Sequence, residues 1–193
     1  GDSAGALELL GPVVAVDASR DEFRDRFVAL SLKLNRTNDA VRLLGRALQG
    51  AKEPVLRSRL GCDLGIVLFH SGEGRRARGY LEDVIRADND AQSTLRAARL
   101  LVDVYQQSGE AELLSPMLAL IVEHETEQAL KETAAYQLIQ LSRQKAEAPP
   151  IVAWQALIRS EHADEALAYL REHYETSGQH EELAGVLELL AVR

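Results

Sequence analysis

Divided into apolar and polar positions, the chain is a series of short amphipathic stretches separated by polar turns. Apolar residues return at Ala40, Leu44 and Ala47, and the same offsets of four and then three recur at Ala77, Leu81 and Val84 and at Leu114, Leu118 and Ile121. Leu183, Leu187 and Leu190 repeat them once more. That spacing places each trio on one face of a helix. The full pattern predicts helices over 21–34, 38–49, 55–71, 74–87, 92–108, 110–124, 127–145, 150–159, 163–177 and 180–192. An additional helix over 3–17 should be kinked or split at Gly11-Pro12, because proline lacks the donor that an interior turn requires.

These stretches repeat. "FVALSLKLNRTNDAVRLLGRAL" from Phe27 aligns with segments starting at Leu64, Leu101 and Leu138, each 37 residues after the last, and a fifth copy starts at Leu170 after a step of 32. A bulky apolar residue opens every copy. Eight positions later stands a column of Asn35, Gly72, Gly109, Ala146 and Gly178, predicted to end a helix in the left-handed conformation. Each copy therefore reads as a helix, a turn and a second helix, and neither helix can bury its apolar stripe alone. The expected fold is all-α, an α-solenoid of about five antiparallel helix pairs whose neighbours share a continuous core. The copies span approximately 21–53, 54–90, 91–126, 127–161 and 162–193, and 1–20 reads as the leftover second helix of a preceding copy. A start without methionine and a stop inside an amphipathic pattern suggest a piece of a longer protein. The fourth copy is irregular: Pro149-Pro150 suit the entry of a helix, and its second helix is short.

Composition agrees with an all-helical fold, since glycine is modest at 13, proline scarce at 5 and aromatics only 5%. The formal charge of −8 argues against nucleic-acid or anionic-membrane partners, which need a cationic surface. No apolar run is long enough to span a membrane. The single cysteine, Cys62, cannot form an internal disulfide and leaves the compartment open, with a lean towards the cytoplasm. The stretch "HSGEGRRARG" at 70–79 has the glycines and arginines of a candidate phosphate loop. However, it follows a helix rather than a strand, lacks the required lysine and hydroxyl, and shares its Gly72 column with turns that carry no arginines.

The columns resemble the tetratricopeptide repeat, carried best by Leu64-Gly65, Leu68, Ala77, Leu81 and Val84, with tyrosines at Tyr105 and Tyr174 in other copies. The family's terminal proline is missing, and Leu-Gly is intact only in the second copy. The resemblance implies a right-handed superhelix whose first helices line a concave, partner-binding groove. It places Arg59, Cys62, Ile66, Phe69 and His70 on that groove, with Arg96, Arg99, Asp103, Gln106 and Gln107 from the third copy. The fourth copy contributes Thr133, Tyr136, Gln140, Arg143 and Gln144. Such a strip suits a protein or peptide partner of acidic character, because arginine binds carboxylates in a bidentate manner. The family's lysine and asparagine clamp for a chain-terminal carboxylate is not matched, since its asparagine columns hold Ile66, Asp103 and Gln140.

No nucleophile with its base, paired carboxylates or metal cluster is fixed by spacing, so no catalytic residue, cofactor or metal site is assigned. His173 and His180 flank one turn without a third ligand. Cys62 and Trp154 read as packing residues. The expected function is a non-enzymatic interaction scaffold, and the alternative is a ligand- or protein-sensing regulatory segment of a larger transcriptional or signalling protein. The last helix is apolar around much of its circumference, which predicts self-association through 180–192.

Overall fold

The computed structural model describes residues 2–192, and they form eleven helices with no strand. The helices are α1 (Ser3–Val16), α2 (Asp21–Lys33), α3 (Thr37–Gly50), α4 (Pro54–His70), α5 (Gly74–Ala87) and α6 (Ala91–Ser108). They continue as α7 (Ala111–His124), α8 (Gln128–Gln144), α9 (Ile151–Ala156), α10 (Ala163–Ser177) and α11 (His180–Val192). The all-α, solenoid-like architecture is the expected one, and most boundaries fall within two residues of expectation. The chain divides into two compact units, residues 1–110 and 111–193, with the boundary falling inside the third copy.

The turn column behaves as its residue types require. Asn35, Gly72, Gly109, Ala146 and Gly178 all have positive φ, at 55°, 84°, 72°, 55° and 70°. After each of them the next residue donates its N–H to the carbonyl five positions back: Arg36 to Ser31, Glu73 to Leu68, Glu110 to Tyr105, Glu147 to Ser142 and Gln179 to Tyr174. This is the Schellman closure, which satisfies carbonyls left over at a helix end. The residues that open the copies, Phe27, Leu64, Leu101, Leu138 and Leu170, are all buried.

In the first unit the first helices α2, α4 and α6 lie side by side, while α3 and α5 pack against them. The tightest approach is α4 on α5, where a Cβ on Gly65 would stand 2.6 Å from Leu81 Cδ2. Ala77, Leu81 and Val84 are buried there, as their spacing requires.

In the second unit α9 packs on α7, α8 and α10, and α10 packs on α11. Here the helix expected over 150–159 is only six residues long. Pro150 caps its start, but the chain leaves the helix at Leu157 through successive three-residue turns, with Leu157 and Trp154 both buried.

Two further expectations are corrected. Of the kink or split expected at Gly11-Pro12, the split does not occur: α1 runs from Ser3 to Val16 with Pro12 inside. In α11 the inward residue is Val186 rather than Leu187, which is 46% exposed, because a helix with apolar residues all round leaves its facing undetermined by pattern alone.

Candidate functional site

The predicted strip follows the first helices. In the first unit it is dominated by charge pairing within the chain. Asp63 of α4 is completely buried, and so, at 2% exposure, is Arg24 of α2. Arg24 Nε donates to Asp63 Oδ2 at 2.5 Å, its Nη1 to the Ala18 carbonyl at 2.8 Å and its Nη2 to Asp21 Oδ1 at 2.6 Å. Arg96 of α6 donates to the other Asp63 oxygen at 3.0 Å and lies 3.8 Å from Asp25. Arg59 extends the array, donating to Asp21 at 2.5 Å and to Asp90 at 3.1 Å. Asp90 in turn caps α6, accepting from the Ser93 N–H at 3.0 Å and the Ser93 hydroxyl at 2.6 Å. Three consecutive first helices are thus stitched together by alternating carboxylates and guanidiniums.

Electrostatics follow from burial. Loss of solvent pushes the Asp63 carboxyl up, and the Arg96 and Arg24 charges pull against it. Burial also pushes the Cys62 thiol up to about 12, so it stays protonated at neutral pH. Cys62 is fully buried and does not line a groove. At Asp90 burial acts upward, but the hydrogen bonds from Ser93 and Arg59 outweigh it and hold the carboxyl below its ordinary range.

Arg59 and Arg96 were expected to meet an acidic partner; the chain's own carboxylates occupy both. Other strip residues remain accessible. Ile66 and Phe69 are half-buried, Arg99 is half-buried, and His70, Asp103, Gln106 and Gln107 are exposed. The His70 ring lies edge-on to Phe69, with centroids 5.6 Å apart, and its Nδ1 is 2.9 Å from the Ile66 carbonyl oxygen. At the turn end of this strip a cleft of about 350 Å³ is bounded by Phe69, Val104 and Gln107 on one side and by Gly74, Arg75 and Arg78 on the other. Arg78 is engaged by Glu82 at 2.7 Å and Glu110 at 2.6 Å. Arg75 is exposed, and among the described residues no ion pair involves it. The arginines of "HSGEGRRARG" thus serve an ordinary helix start, and one of them is left over at the cleft.

In the second unit Tyr136 stacks on His162 at 4.2 Å, and Gln140 is half-buried. Arg143 lies over the Trp154 ring at 5.2 Å and pairs with Glu165. Thr133 and Gln144 are exposed, and the Thr133 hydroxyl donates to the Ala129 carbonyl at 2.8 Å. Trp154 is core, with Tyr169 stacked at 4.7 Å, and its buried indole N–H has no hydrogen-bond partner. Among the described residues no three His, Cys, Asp or Glu side chains gather where they could hold a metal ion, and no helix is long and apolar enough to cross a membrane.

No protein-family model matches the chain, and no curated protein matches it by sequence. Among solved structures it is similar to BtubC (BKLC) from P. vanneervenii, with a TM-score of 0.59 and 13% identity over 98% of this chain and 89% of that one. At that identity the likeness shows a shared all-helical fold.

The charge array escaped the sequence reading, although one signal pointed to it. Asp63 interrupts the apolar run "LGCDLGIVLF", where its neighbours one helical turn away, Leu60 and Val67, are both core residues. A charge in that position needs a buried counter-ion. Its partner, 39 positions earlier, carries no comparable mark.

Proposed function

We propose that the chain is a non-enzymatic protein-interaction module of tetratricopeptide-like helix pairs. Its anchoring site in the first unit is the Phe69 cleft. The observation that carries this reading is the pairing, on one cleft, of a half-buried aromatic side chain with Arg75, a guanidinium without a counter-ion among the described residues. A peptide with an apolar side chain followed by a carboxylate would fill the space beside Phe69 and Val104 and supply the counter-ion. Arg59 and Arg96 then hold the first helices in register and do not contact the partner directly.

A peptide-display library panned on the full chain tests this reading. Enriched sequences should combine an aromatic or large aliphatic residue with Asp or Glu. Their binding should fall at least tenfold in Phe69→Ala and in Arg75→Glu, and stay unchanged in Arg86→Glu, whose arginine pairs with Asp83 elsewhere on α5. Enrichment that ignores Phe69 and Arg75 would refute the site.

A further inference from the structure

α11 presents an unusual outer face. Leu187, Leu189 and Val192 are 46%, 42% and 88% exposed. Glu181 and Glu188 stand among them, seven positions apart and therefore on one side of the helix. Among the described residues neither takes part in an ion pair, and the helix has no lysine or arginine there. Two copies of this face brought together would oppose carboxylate to carboxylate, so the face is poorly suited to pair with itself.

A complementary surface lies in the first unit. The end of α1, the connector after it and one side of α3 enclose an open cleft of about 790 Å³. Its apolar wall includes Val16, 90% exposed, with Leu43, Ala47 and Leu56. Of its charged residues, Asp39 is bound by Arg36 and Arg42, and Asp17 by Ser19 and Arg20. Those hydrogen bonds hold both carboxyls below their ordinary range. Among the described residues Arg46, which lines the cleft, has no ion-pair partner, and the neighbouring Lys52 also has none. After internal pairing the cleft is apolar with a cationic rim, whereas α11 is apolar with an anionic centre.

From this complementarity we infer that the outer face of α11 docks into the α1–α3 cleft of a second copy of the chain. Leu189 and Val192, three positions apart and so on one side of the helix, cover the apolar wall, and Glu188 faces Arg46. The contact joins two different surfaces, so each copy offers one of each, and association continues head to tail or closes into a ring.

Sedimentation velocity of the full chain over a wide concentration range tests this arrangement, with circular dichroism to confirm folding. The wild-type mass should rise with concentration to a dimer, where the ring closes at two copies, or beyond it. Arg46→Glu and Leu189→Glu should each weaken association at least tenfold. Mixed in equal amounts they should form a one-to-one dimer and nothing larger, because one intact helix meets one intact cleft. Arg46→Glu combined with Glu188→Arg in one chain should restore association. A wild-type monomer at every concentration overturns the inference. So does loss of association in Leu189→Glu but not in Arg46→Glu, which would mean that α11 has a different receptor.

Discussion

Asp63 and Arg24 show what one buried pair requires of its surroundings. A carboxylate at 0% exposure is tolerable only because two guanidiniums reach it and because Arg24 has all three of its nitrogens engaged. Removing one partner strands the other. Asp63→Ala should cost about 3–5 kcal/mol, the range seen when a buried pair is broken from one side. The Arg24→Met, Asp63→Leu double variant should cost clearly less than the sum of the two single changes, as read from urea unfolding midpoints. Additive losses would mean that the two side chains act separately. Asp90 supports a second prediction. Its folded-state pKa is depressed, so its stabilisation is fully present above the ordinary carboxylate value of about 3.9 and fades as pH falls through the folded value. Wild type should therefore exceed Asp90→Asn in stability at pH 7, and the gap should close towards pH 3 in denaturant titrations. A gap independent of pH would remove the charge from the explanation.

Among the elements, the turn column was the most legible feature of the sequence. Asparagine or glycine at one fixed offset foretold four of the column's five left-handed residues, since only a few residue types enter that region at low cost. Ala146 is the exception that tests the rule. At φ 55° it bears strain that glycine would not, so Ala146→Gly should raise stability by about 0.5–1 kcal/mol. Gly109→Ala, at φ 72°, should lower it by about 1 kcal/mol. Chemical unfolding of the two variants checks both signs. Less was legible where side-chain docking overrides periodicity. α9 stops after Ala156 because Trp154 and Leu157 turn into the core, and nothing in their spacing announces an early exit. The facing of α11 was ambiguous for the opposite reason, with apolar residues available in every direction.

At the scale of the whole molecule, periodicity conveyed the number and order of the helices but not the division at Glu110, because copies that look alike in sequence need not share equal contacts. Nor did it convey which polar residues serve the fold and which are free for a partner. Of the strip arginines, Arg59 and Arg96 belong to the fold, while Arg75, outside the predicted strip, stands at the cleft. The Asp63 array also bears on how such a chain can change over generations. Tandem repeats commonly gain or lose whole copies when their coding sequence slips, and the product survives when copies are interchangeable. Here 37 positions either side of Asp63 stand Arg26 and Leu100. Excising that copy would set a leucine where Arg24 needs a carboxylate, and duplicating it would add an acid that faces Gly61 where Asp63 has Arg24, leaving it Arg96 alone. The first unit is therefore locked at its present copy number, and its repeats, though alike in outline, are no longer exchangeable parts.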